Sequence, residues 1–290
     1  MKKLYLPATC ALLAIGSAQG AAVVYEGFDY TIADDGNISG ANGGTGFSGA
    51  WVNTRNTPDF RTAGLTAGTL PVVGGKVQGS AWSGIARPLD GSLAATGALN
   101  NGSTVWFSAI ADLTGANLAN ADINLALTSA GKFISGDFGT RQNLDGAAGV
   151  GFTHSRGNIR AAYWDASGVR TVGSSTSLSI GGANPSSTAL VVGSILWGAG
   201  SETITLYAPD AALNLGAPIT TLVTTGNLDQ TAFNNLAIQF KDSTPGLDEI
   251  RFGETSDDVL GIVSAPIPEP SSTLLLGLGA LLGLGIRRRR

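Results

Sequence analysis

The chain has 290 residues, 17 basic against 21 acidic for a formal net charge of −4, and charged residues make up only 13% of it. That balance argues against nucleic acid or an anionic membrane as partner, since both are bound mainly through surplus Lys and Arg. A single cysteine, Cys10, excludes a disulfide within the chain, and a single histidine, His154, leaves no second imidazole for a zinc site.

The first element in chain order is a targeting segment. Met1-Lys2-Lys3 is a positive start, Leu4 to Ile15 is an apolar run of signal-peptide length, and Gly16 to Ala22 supplies small residues for cleavage. A cut after Gly20 places Ala18 at the third position back; a cut after Ala22 is the alternative. The export translocon and signal peptidase are the partners this implies. Pro7-Ala8-Thr9 is a poor lipoprotein box, so Cys10 is expected to leave with the signal, residues 1–22. Setting aside Lys2, Lys3 and the four terminal arginines leaves a body with 11 basic and 21 acidic residues, a net of −10. With no disulfide available, that body must fold on apolar burial alone, and roughly 250 residues suffice for one large domain.

Residues 23–264 read as all-β. Forty-two glycines punctuate short Val/Ile/Phe/Thr segments, and none shows helical periodicity. The predicted strands are Val23 to Phe28, Thr104 to Asp112, Ile123 to Thr128, Gly149 to His154, Ile159 to Trp164, Ala189 to Trp197, Glu202 to Tyr207, Leu236 to Phe240 and Glu249 to Gly253. Alternation is clearest in Leu236-Ala237-Ile238-Gln239-Phe240, where Leu, Ile and Phe share one face. Ser155-Arg156-Gly157-Asn158 and Gly198-Ala199-Gly200-Ser201 have the composition of hairpin loops. Many short strands with turns between them predict one two-sheet sandwich with almost no helix.

Tyr25-Glu26-Gly27-Phe28-Asp29-Tyr30, followed by Asn42 to Trp51 (NGGTGFSGAW), resembles the opening of a group of exported bacterial proteins. Leu247 to Thr255 (LDEIRFGET) resembles their closing strand. In that group the body is similar to the concanavalin A-like, or laminin G-like, jelly roll, which implies that first and last strands lie side by side. The resemblance covers both ends of the body; about Thr54 to Pro185 matches only in general β character. It implies a fold and says nothing of a ligand, because this fold carries lectins, glycosidases and inert adhesion modules.

Candidate chemistry is sparse. Glycosidases with this fold place Glu-x-Asp-x-x-Glu along one strand, bringing two carboxylates about 5 Å apart, and no such pattern occurs here. Asp248 and Glu249 are adjacent and so are expected on opposite faces of a strand, pairing with Arg251 or a loop, while Glu254 lies beyond it. No catalytic residue and no metal ligand set is therefore assigned, and no cofactor is expected. Asp34-Asp35-Gly36-Asn37 has the oxygen density of a calcium loop without a complete loop motif. His154 reads as a surface residue at a strand end, and Trp82-Ser83-Gly84 and Ile180-Gly181-Gly182 as turn material. Of the tryptophans, Trp106 and Trp197 sit in apolar strands and are expected in the core. Trp51, in a Gly/Asn-rich loop, and Trp82, beside Ser and Gly, are the candidates for stacking on extracellular polysaccharide. The two functional readings are a non-catalytic surface or matrix protein and a carbohydrate-active enzyme on the same fold.

The chain ends in three parts: Pro266 to Pro270, the uncharged run Ser271 to Ile286, and Arg287, Arg288, Arg289 and Arg290. As a helix the run, with Leu274, Leu275 and Leu276 near its start, spans roughly 24 Å against a hydrocarbon core of about 30 Å. It is a short span, closed by bilayer thinning and arginine snorkelling, with the arginines on the cytoplasmic side. Gly279 and Gly283 form a small-xxx-small pair within it. Pro268-Glu269-Pro270, the short Leu/Gly-rich span and the Arg cluster together resemble the PEP-CTERM sorting domain of Gram-negative envelope bacteria. The resemblance implies that an exosortase-type enzyme reads the tripeptide and processes the tail (residues 265–290), first anchored in the inner membrane. It implies delivery to the cell surface or extracellular matrix, often among polysaccharide. The flanking prolines hold Glu269 in an extended segment that an enzyme reads without unwinding a helix. The alternative is an ordinary tail anchor.

Overall fold

A computed structural model describes residues 22–113, 121–129, 131–134, 142–155, 158–174, 176–177, 188–241 and 244–262. The expectations on residues 1–21, on Ile180-Gly181-Gly182 and on the tail from residue 263 fall outside these. The described residues belong to one compact unit.

Its strands are β1 (Val24–Glu26), β2 (Gly36–Asn37), β3 (Val52–Asn53), β4 (Asp59–Arg61), β5 (Lys76–Gln78), β6 (Ser83–Pro88), β7 (Thr104–Asp112), β8 (Asp122–Thr128) and β9 (Gly149–Ser155). There follow β10 (Asn158–Trp164), β11 (Arg170–Val172), β12 (Thr176–Ser177), β13 (Ala189–Leu196), β14 (Thr203–Tyr207), β15 (Thr220–Val223), β16 (Asn235–Lys241) and β17 (Gly246–Gly253). Among the described residues, helix is confined to α1 (Ser92–Ala95), α2 (Ser256–Leu260) and a 3-10 turn at Gln230–Ala232. The first sheet runs β15-β14-β13-β7-β17-β5-β4-β2, with β1 also on β17; the second runs β11-β10-β9-β8-β16-β6-β3, with β12 also on β10. The chain passes from one sheet to the other repeatedly, between β2 and β3, β3 and β4, β5 and β6, β6 and β7, β7 and β8, β12 and β13, β15 and β16, and β16 and β17. The result is an all-β, two-sheet jelly-roll sandwich. First and last strands pair antiparallel, Tyr25 opposite Arg251.

The core lies between the sheets and follows strand alternation. β7 sends Val105, Phe107, Ala109 and Ala111 inward, β9 sends Val150 and Phe152, and β16 sends Leu236, Ile238 and Phe240. Phe107 and Phe152 stack across the gap with centroids 6.2 Å apart. Gly193 lies opposite Phe107 in the β13 ladder, and a Cβ there would run into the Phe107 ring. Each outer face carries a second apolar layer. Trp106, Ile110, Leu190 and Val192 of the first sheet are covered by Leu65, Leu70, Val259 and Leu260. Ala126, Ala162, Trp164 and Ala237 of the second are covered by Phe133, Leu144 and Ala147. That explains why β7 and β13 are largely apolar on both faces, whereas β8 keeps Asp122 and Asn124 on its outer face.

Three expectations change. Trp82-Ser83-Gly84 is not a turn: Ser83 and Gly84 open β6, paired with β16 and β3. Only Ile85 in that strand carries an obvious hydrophobic signal, because its other inward residues are the buried Ser83 and Arg87. The first predicted strand ends early, since Phe28 adopts a left-handed φ of 50°. The closing strand carries a bulge between Asp248 and Arg251, with Glu249 at φ 53°, so Asp248 and Glu249 do not take opposite faces. Leu247, Ile250 and Phe252 enter the core, and Asp248, Glu249 and Arg251 all bond to the segment lying over the outer face.

Candidate functional site

The outer face of the second sheet is organised in rows set by register. Ala86, Ala237, Ala126, Gly151 and Ala162 line up across five strands and leave room for Phe133 and Leu144 to lie on them. One step along the strands is a polar row: Gln239, Asn124, Thr153 and Arg160. The next holds Lys241, Asp122, Ser155 and Asn158. These polar rows floor a cleft of about 350 Å³ lined by Trp82, Asp122, Gln142, Ser155, Arg160, Arg170 and Lys241. Its size is at the small end of the range that holds small ligands.

The floor is held by hydrogen bonds. Arg170 donates to Asn124 Oδ1 at 3.1 Å and to Thr153 Oγ1 at 3.3 Å, and the Asn124 amide donates to Gln239 Oε1 at 3.3 Å. Gln142 donates to Asp122 Oδ2 at 2.6 Å. Desolvation lowers the pKa of Arg170 from its ordinary value; Asp122 opposes that shift and Arg160 adds to it. Arg160 keeps its Nε buried and without a hydrogen-bond partner. Among the described residues, neither Arg160 nor Arg170 forms an ion pair, whereas Arg61, Lys76, Arg87 and Arg251 each do. Trp82, half-buried at the rim, has Lys241 Nζ 5.6 Å and Arg55 Cζ 5.7 Å from its ring centroid.

Of the two tryptophans expected at the surface, only Trp82 is there. Trp51 is 1% exposed and stacks on Phe28 at 6.0 Å. Its Nε1 donates to Glu26 Oε2 and to the Tyr30 hydroxyl, both at 3.1 Å. It belongs to a buried network centred on the Glu26–Arg87 ion pair, N to O 2.5 Å. Arg87 also donates to the Gly49 and Gly43 carbonyls and to Asn42 Oδ1, each at 2.7 Å, and its guanidinium lies 4.0 Å over the Phe47 ring. The Gly/Asn-rich composition that marked Trp51 as exposed reflects backbone folded tightly around an arginine. Trp197 is buried as expected, while Trp106 is half-buried on the outer face of the first sheet, stacked on Tyr207 at 5.6 Å.

His154 is a correction as well. It shares the inward face of β9 with Val150 and Phe152, is 2% exposed, and leaves Nδ1 without a partner. Burial pushes its pKa down to about 4, with Asp112 opposing. Asp248 accepts from Leu65 N at 2.8 Å, and Glu249 from Val73 N at 2.7 Å, the Tyr25 hydroxyl at 3.1 Å and Arg251 at 2.7 Å. Burial, with Glu249 adding, pushes the Asp248 pKa up to about 8. Both carboxylates thus fasten the residue 62–75 segment to β17. Asp34 accepts from Thr62 N at 2.9 Å, and Asp35 pairs with Arg61. Among the described residues no group of three or more His, Cys, Asp or Glu is placed to hold a metal. Arg160 and Lys241 were not singled out from sequence, although alternation with Ile159 and Phe240 puts both on the outer face; Arg170 carries no such signal. Pro268, Glu269, Pro270, Leu274, Leu275, Leu276 and Arg287 to Arg290 lie outside the described residues.

An all-β sandwich with a polar cleft on one sheet defines the class of the folded body. Residues 266–290 match the PEP-CTERM protein-sorting motif, so the chain carries the C-terminal, membrane-anchoring sorting signal of an exported protein processed by an exosortase-type system. No curated protein matches the chain. Among solved structures it is similar to the receptor-binding domain of botulinum neurotoxin C/D mosaic serotype (11% identity, TM-score 0.44, 84% of this chain and 50% of that one). It is also similar to the receptor-binding domain of botulinum neurotoxin D (11%, 0.43, 84% and 52%). A third is the CBM2 module of Lactobacillus casei BL23 phage J-1 evolved Dit (9%, 0.37, 76% and 94%). The chain spans about half the length of the neurotoxin domains. Likenesses this loose bear on neither ligand nor mechanism.

Proposed function

We propose that this is a non-catalytic surface or matrix protein that grips extracellular polysaccharide through its sandwich. Residues 1–22 are a signal peptide removed on export. Residues 23–264 are the delivered, concanavalin A-like domain. Residues 265–290 hold the chain in the inner membrane by one short helix until an exosortase-type enzyme releases it. The match of residues 266–290 to the sorting motif carries the export and sorting part of this reading. The make-up of the cleft supports the non-catalytic part: Asp122 is the one carboxylate among its described lining residues, and retaining hydrolysis needs two about 5 Å apart.

Mass spectrometry of the protein from its native host tests the processing. The expected mature form begins near Ala21 and lacks Arg287 to Arg290. Intact arginines on the surface form would overturn it and leave a plain tail anchor. Glu269→Ala is expected to accumulate, unprocessed, in the inner membrane.

A further inference from the structure

The cleft on the second sheet concentrates cations in a chain that is otherwise short of them. From residue 23 through Pro270 there are 11 basic residues against 21 acidic ones. Three of the basic residues, Arg160, Arg170 and Lys241, line this one cleft. Elsewhere Arg61, Lys76, Arg87 and Arg251 each sit directly on a carboxylate, as Arg87 does on Glu26 and Arg251 on Glu249. Here two guanidiniums line one cleft and, among the described residues, neither forms an ion pair. Asp122, which also lines the cleft, accepts from Gln142 and only partly offsets the desolvation of Arg170 and the charge of Arg160 beside it. Such an arrangement costs free energy in the empty protein and is relieved by an anion, most effectively by one that accepts two parallel N–H bonds. Trp82 stands at the rim, and its flat face suits a ring rather than a bare ion.

We propose that the cleft binds an acidic sugar residue of a polysaccharide, its carboxylate on Arg160 and Arg170 and its ring against Trp82, with Lys241 at the rim. This rests on the polysaccharide-binding reading above and narrows it to uronate-type glycans. The net charge of −10 opposes approach of a polyanion at long range. That field is screened beyond about 8–10 Å at physiological salt, so the local cations decide the contact. Binding should therefore weaken as salt is raised.

The test uses the purified full-length chain in detergent with oligogalacturonate and its fully methyl-esterified counterpart, which keeps the ring and removes the charge. The acid is expected to bind at least about tenfold more tightly than the ester. Arg160→Gln should remove most of that preference, and Arg160→Lys should restore part of it. Trp82→Ala should weaken acid and ester together. Arg170 also holds Asn124 and Thr153, so Arg160, which bonds to no floor residue, is the cleaner probe. Equal affinity for acid and ester would overturn the proposal while leaving polysaccharide binding intact. No binding of either, nor of a panel of neutral glycans, would overturn both. Competition by inorganic sulfate at the oligomer's own affinity would show a simple anion site and reject the sugar.

Discussion

The two sheets treat their outer faces differently. On the first, the charged residues of β17 are spent on structure: Asp248 takes Leu65 N, Glu249 takes Val73 N, and Arg251 reaches the Pro71 carbonyl. The segment from residue 62 to 75 is sewn down, and Ser108 Oγ fixes α2 by donating to the Val259 carbonyl at 2.7 Å. On the second, among the described residues, an apolar segment covers the row of small residues, and the polar rows floor a cleft edged by Trp82. Charge on a sheet face is therefore not a sign of a site. The informative difference is that Arg251 and Glu249 pair with each other, whereas Arg160 and Arg170 form no ion pair among the described residues.

The largest expected effect breaks the first face. Glu249→Ala removes the acceptor for Val73 N, the Tyr25 hydroxyl and the Arg251 guanidinium, and Arg251 is 6% exposed. Leaving a buried charge without its partner costs about 3–5 kcal/mol. A denaturant titration should show that loss, with glycan binding per folded molecule unchanged. A loss below about 1 kcal/mol would mean that the segment is not held by this carboxylate.

A smaller effect is written in the pH dependence, and two buried groups divide it between them. The folded-state pKa of Asp248 is about 8, above its ordinary 3.8, so between those values the folded chain holds a proton that the unfolded chain lacks. Stability from this group is present at low pH and is lost as pH rises towards 8. His154 is depressed from 6.5 to about 4, so between these the unfolded chain holds the extra proton and stability falls as pH falls. The two oppose each other from about pH 4 to 6.5, and Asp248 acts without it from 6.5 to 8. Melting temperature should fall across that upper window in the parent chain and stay level in Asp248→Asn. His154→Leu should keep the upper slope and lose its share of the lower one. An unchanged upper slope in Asp248→Asn would rule out this assignment.

Much of the sandwich was legible because burial and alternation coincide. β7 was read to its last residue, and β16 was read with its apolar face correct, since Leu236, Ile238 and Phe240 do enter the core. What escaped was structure carried by polar networks. β6 has one clear hydrophobe and an arginine that is buried only because Glu26, two backbone carbonyls and a Phe ring enclose it. The same network hides Trp51, whose neighbours in sequence are those of a surface loop. The bulge at Asp248 was invisible because a one-residue slip in register leaves no mark on composition. The cleft was half legible. Arg160 and Lys241 follow from strand alternation once it is applied to charges as well as hydrophobes, whereas Trp82 and Arg170 reach the cleft only through the fold.

The smallest expected effect sharpens the comparison from the open side. Arg160 receives no ion pair among the described residues, and its Nε is buried without a hydrogen-bond partner. Its charge adds to the lowering of the Arg170 pKa, which desolvation dominates and Asp122 opposes. Removing it should therefore cost the fold almost nothing. Arg160→Ala is expected to change unfolding free energy by less than about 0.5 kcal/mol, the range of substitutions that break no structural link. A slight gain is the natural direction, since the stem's packing is lost but a like-charge contact is relieved as well. Set beside Glu249→Ala, one removed charge would unsettle the fold and the other would leave it untouched. A loss above about 2 kcal/mol for Arg160→Ala would place Arg160 among the structural charges after all, and the two faces would no longer differ in kind.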